Sequence, residues 1–161
     1  MASIMHRALC MMLATLPGSG AVAAPERFQC SIEAQAAANI IDLRDRGHDK
    51  TFVLAPLPPR ESVFNGRRGT LQARLAVQMY SIIEDVYGHP DIDAATYLAY
   101  REASCGHRNA GRKVPRSLDE VVLPMRGCQA KHGARPSAAL TQCAADVLIY
   151  YQSASHEPRE D

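Results

Sequence analysis

No tryptophan occurs in the 161 residues, and phenylalanine occurs three times. That excludes a core built on large aromatic wedges. Alanine and branched aliphatics must do the packing, and alanine faces bury little area each. No stretch alternates apolar and polar residues over the length of a strand, so the pattern of a half-buried sheet is missing. No apolar run reaches the ~20 residues that cross a bilayer as a helix. The phosphate loops G-x-x-x-x-G-K and G-x-G-x-x-G are absent, as are G-x-S-x-G, H-E-x-x-H and any C-x-x-C pair. With them go the signatures of nucleotide binding, serine hydrolysis, zincin chemistry and zinc ribbons. A surplus of one charge is also lacking, with 18 basic against 17 acidic side chains. Nothing therefore draws the whole chain to nucleic acid.

What the sequence has begins at its first residues. Arg7 follows a short polar start, Ala8 to Leu16 carries no charge, and Pro17, Gly18 and Gly20 break any helix there. Ala21-Val22-Ala23 is a small-x-small triplet. This is the tripartite pattern of a cleavable secretory signal, with the cut expected after Ala23. The sequence thus divides into a signal over 1–23, a domain over 24–152 and a charged, fraying tail over 153–161.

Cys10 leaves with the signal, and Cys30, Cys105, Cys128 and Cys143 remain. Four thiols in an oxidising compartment argue for two disulfides, and three pairings are open. Cys30–Cys105 with Cys128–Cys143 is the favoured pairing: one ties the first helix to a later one, the other closes a short loop. On the chain-entropy model they contribute roughly 4.5 and 3 kcal/mol. A zinc site shared with His107 and His132 is the competing reading.

Helix signals dominate the remainder. Ser31 is placed as the cap of a helix to about Arg46, with Ile32, Ala36, Ile40 and Leu43 as its buried stripe and Glu33 on the polar face. Residues 55–69 read as an exposed loop carrying Arg60, Arg67 and Arg68, since Pro56, Pro58 and Pro59 interrupt it. Thr70 caps a helix to Tyr87, striped by Leu71, Leu75, Met79, Ile82 and Val86. Asp91 or Asp93 opens the next, which Gly106 is expected to stop after Cys105; the short joint makes the two an αα-hairpin. Ser117-x-x-Glu120 is a capping box before a helix that meets Pro124 early. The last helix runs from about Pro136 to Gln152. The expected fold is all-α: a single small domain of four to five helices stapled by two disulfides.

The strongest surface signal is charge placement. Between Arg101 and Arg135 stand eight basic residues against Glu102, Asp119 and Glu120. Arg108, Arg112, Lys113 and Arg116 fall in a segment read as loop, and a guanidinium fork suits carboxylate or phosphate. They are the expected binding residues, and an acidic protein or an anionic envelope component is the expected partner. Nucleic acid is not, because the segment lacks interleaved aromatics. The layout, a signal followed by a four-cysteine helical domain, resembles small periplasmic binding, chaperone-like, inhibitor and immunity proteins, though no motif carries the resemblance. The missing catalytic motifs, the disulfides and the basic segment lead to the expectation of an exported, non-catalytic binder of another macromolecule, with no cofactor, no metal and no catalytic residue. Two alternatives stand beside it. One is an envelope hydrolase acting on peptidoglycan or another cell-wall polymer through Glu84, Glu102 or Glu120. The other is a periplasmic metal binder using His107 and His132.

Overall fold

The computed structural model describes residues 25–65 and 70–154. The expected secretory signal and its expected cleavage point, Arg67, Arg68 and residues 155–161 of the tail lie outside the described residues. Within them are seven α-helices, one 3-10 turn and no strand. The longer helices are α1 (Pro25–Asp45), α4 (Leu71–Gly88), α5 (Ala94–Asn109), α6 (Val122–His132) and α7 (Ala138–Ala154). Two short ones, α2 (Lys50–Leu54) and α3 (Arg60–Asn65), account for the excess over the expected four to five. α3 occupies part of the segment expected to be loop. Its prolines do not forbid it, because Pro58 and Pro59 precede its first residue, where a missing N–H costs nothing.

Local chemistry sets most boundaries. Asp49, Thr70 and Asp93 accept from the backbone N–H groups of Phe52, Ala73 and Thr96, capping α2, α4 and α5. Gly47 takes φ +87° after α1, and bonds from Gly47 N to Arg44 O and from His48 N to Leu43 O close that helix. Three expectations fail at boundaries. α1 starts before Ser31, so Ser31 lies inside it. α5 continues through Gly106 to Asn109 and ends where Gly111 takes φ +68°. Ser117 makes no capping bond; its hydroxyl donates to Asp119 Oδ2, and the Leu118 N–H goes to Asp85 Oδ1 instead. The capping box is replaced by a carboxylate from α4.

α1 lies against both α4 and α5, while α7 lies against α5 and α6. The expected close pairing of α4 with α5 is not among these approaches: the two reach each other through long side chains, Tyr97 to Asp85 and Arg101 to Gln78. The core joins Ile40, Ile41, Ile82, Ile83, Val86, Tyr100, Leu118, Met125, Leu140 and Leu148. Ala37, Ala95, Ala99 and Ala144 are buried among them and let the helices approach closely. A smaller cluster of Val63, Ala76 and Tyr80 lies under α3.

Both expected disulfides are present. Cys30–Cys105 joins α1 to α5 with Cα atoms 5.6 Å apart, and Cys128–Cys143 joins α6 to α7 at 5.8 Å.

Candidate functional site

The basic segment splits into an internal and an external part. Arg101 is 4% exposed, and its Nη2 meets Glu33 Oε2 at 2.9 Å and Gln78 Oε1 at 3.0 Å. Arg108 also turns inward to Glu33 Oε2. Glu33, expected on the polar face, is 2% exposed and collects both guanidinium groups. The buried stripe of α1 is therefore Glu33, Ala37, Ile40 and Ile41, one position on from the expected one. Arg108 is thus a structural ion-pair partner more than an open binding residue, and Glu102 pairs with neither arginine among the described residues. Arg126 is also engaged, its Nε 2.6 Å from Asp91 Oδ2, which holds the Asp91 carboxyl below its usual range.

Arg112, Lys113 and Arg116 remain exposed. They follow α5 on a segment held to the end of α7. The Gln152 amide donates to Lys113 O at 3.0 Å and to His107 Nδ1 at 2.9 Å. Burial, and then the charge of Arg112, pushes the His107 imidazole below its ordinary value. The Lys113 ammonium lies 6.0 Å from the Tyr151 ring centroid. Tyr151 donates to the Glu120 carboxylate, which raises the phenol's pKa, with burial adding to it and the charge of Arg116 opposing it.

Beside these cations the surface turns apolar. An open cleft of about 480 Å³ runs between the start of α6 and the end of α7, lined by Val121, Pro124, Val147, Tyr150 and Tyr151, with Glu120 and Asp146 among its polar residues. Tyr150 in its wall is 76% exposed, and Leu123 on α6 and Ile149 on α7 are also exposed, at 72% and 48%. These three residues were missed by periodicity alone. The available signal was the unbroken run Val147-Leu148-Ile149-Tyr150-Tyr151: five successive apolar residues wrap a helix completely, so some must face outward.

The other expected sites are dispersed. Glu84 is held by Lys50 and Arg60. Glu120 is on Tyr151, and Glu102 lines a separate groove of about 430 Å³ between α1 and α5. No group of three or more potential metal ligands forms among the described residues, and His107 is engaged by Gln152. No helix among them is long and apolar enough to cross a membrane.

Asp85 is a buried carboxyl, 3% exposed. Burial raises its pKa, against the opposing pull of the Leu118 N–H, Arg101 and the Tyr97 hydroxyl. Tyr97 rises well above its usual value, and Tyr100 is pushed up to about 12, in both cases chiefly by burial. Together these groups form a polar seam inside the bundle. No protein-family model, curated protein or solved structure matches this chain.

Proposed function

We propose that this is an exported protein that acts without catalysis, by binding another protein on the face formed by residues 112–124 and the outer side of α7. The observation that carries the reading is an apolar cleft lined by the exposed Tyr150, with Lys113 and Arg116 near its Tyr151 and the exposed Leu123 one residue from its Pro124. Clustered exposed hydrophobics rimmed by polar groups mark interaction surfaces, and tyrosine is favoured at their energetic centres. The cations supply steering toward a partner whose apolar anchor sits beside an acidic stretch. Export is supported by the two disulfides, which persist in oxidising compartments, and by the signal pattern at the N-terminus. Inhibitor, immunity and chaperone-like roles all use such a face.

The hydrolase alternative has less support. Glu84 and Glu120 are committed to internal partners, and Glu102 stands in a groove without a second carboxyl. The test is site-specific photocrosslinking in the native compartment. A photoreactive side chain at position 150 gives one dominant protein adduct, and one at Thr51, exposed on α2, does not. Leu123→Asp together with Lys113→Glu abolishes the adduct. Equal labelling from positions 150 and 51, or an adduct indifferent to those changes, refutes the proposal.

A further inference from the structure

A second cleft of about 270 Å³ opens between α3, α4 and the segment leading into the 3-10 turn. That is the volume of about nine waters. Its wall is aromatic: Phe64 and Tyr80 meet edge to face with centroids 5.9 Å apart. The Arg60 guanidinium covers that pair at 5.3 and 5.9 Å from the two centroids, so its flat face is occupied. The buried Asp85, Ser81 of α4 and the exposed Arg116 also line it.

The charges here do not all cancel. Glu84 is answered by Lys50 and Arg60. Asp85 is answered by the Leu118 N–H at 2.9 Å, the Tyr97 hydroxyl at 3.2 Å and the nearby charge of Arg101. Arg116 makes no hydrogen bond or ion pair with any described residue. Among the described residues, an unpaired guanidinium lining the same cleft as an aromatic pair suits one anionic group on a flat apolar body. The anion is better a carboxylate than a phosphate: a guanidinium fork matches a carboxylate's two oxygens, while the acids already in the cleft repel a dianion.

We infer that this cleft binds a small aromatic monocarboxylate, its carboxylate on Arg116 within reach of the Ser81 hydroxyl and its ring against Phe64 and Tyr80. This ligand site shares Arg116 with the proposed protein-binding face, but its aromatic wall belongs to α3 and α4, and the inference does not rest on that face.

The test is a titration of the oxidised protein with phenylacetate, followed by amide chemical shifts, with phenylacetamide and phenyl phosphate as comparators. Saturable shifts centred on Phe64, Ser81 and Arg116 are expected with phenylacetate. Binding falls about tenfold or more in Arg116→Gln and in Phe64→Leu, the loss of one charge-assisted contact or of ring stacking. Tyr150→Asp, on the other face, leaves it unchanged. Absence of saturable shifts at millimolar phenylacetate overturns the inference, as does equal binding of the neutral amide. Tighter binding of phenyl phosphate overturns the carboxylate assignment. The variants' own amide spectra report whether they are folded, and Ser81→Ala, a smaller change, gives an independent loss if Phe64→Leu disturbs the helix.

Discussion

Glu33 shows how a single side chain can invert a sequence reading. Helical spacing places Ile32, Ala36 and Ile40 on one face, and a carboxylate next to them reads as solvent-facing. The bundle instead rotates α1 so that Glu33 enters the interior, because Arg101 and Arg108 of α5 wait there. One-dimensional periodicity could not reveal this, since the compensating charges lie 68 and 75 residues away. Removing one member of a buried pair leaves the other uncompensated, at a cost of about 3–5 kcal/mol. Glu33→Gln is expected to destabilise by about that much in urea unfolding, whereas Glu33→Met with Arg101→Met loses distinctly less than the sum of the single changes. Simple additivity would show that the two charges do not depend on each other. Asp85 gives a second test. Its folded pKa is raised by burial, so its contribution to stability is present in acid and lost as pH rises through that elevated value. Asp85→Asn keeps an acceptor for Leu118 N–H and cannot ionise. Its melting temperature relative to wild type should climb as pH rises from about 4, the ordinary carboxyl range. A difference constant with pH would clear Asp85 of this role.

At the level of helices, the readable features were caps and stops with a local cause. Thr70 and Asp93 cap α4 and α5 because their side-chain oxygens reach an N–H three residues on, a relation written in adjacent residues. Gly106 misled because glycine's helix cost is small and tertiary contact outweighs it. Cys105 is tied to Cys30, and His107 and Arg108 on the following turn are engaged by Gln152 and Glu33, so α5 is drawn past the glycine. A methyl at Gly106 or at Gly127 in α6 would meet no atom within 4 Å. Gly106→Ala and Gly127→Ala should therefore each stabilise the protein by about 0.5–1 kcal/mol in thermal or chemical unfolding. A loss in either case would mean that the position is crowded or must bend. Helix α7 was legible as a helix and less so as a surface. Its last turns are apolar on every side, and which side stays uncovered is decided by where α5 and α6 pack.

For the molecule as a whole, the disulfides and the charge pattern were the most legible parts, because both follow from counting and spacing. The division of the basic residues into internal and external sets was not, because it depends on tertiary partners. On the chain-entropy model the crosslinks stabilise with the logarithm of the loops they close. The Cys30–Cys105 bridge spans 75 residues and the Cys128–Cys143 bridge 15. Replacing the first pair by alanine should cost about 4.5 kcal/mol and the second about 3 kcal/mol. Calorimetry of the two double variants would show the larger drop for the first, and the reverse order would mean that strain or residual structure outweighs loop entropy. The order of these bonds along the chain also bears on biogenesis. A polypeptide threaded through a membrane pore from its N-terminal side presents Cys105 while Cys30 is the one earlier thiol of the four, and then Cys128 followed by Cys143. If Cys30 and Cys105 join before Cys128 emerges, Cys128 finds no free thiol until Cys143 follows 15 residues later, so an N-to-C order of exposure favours the native pairs.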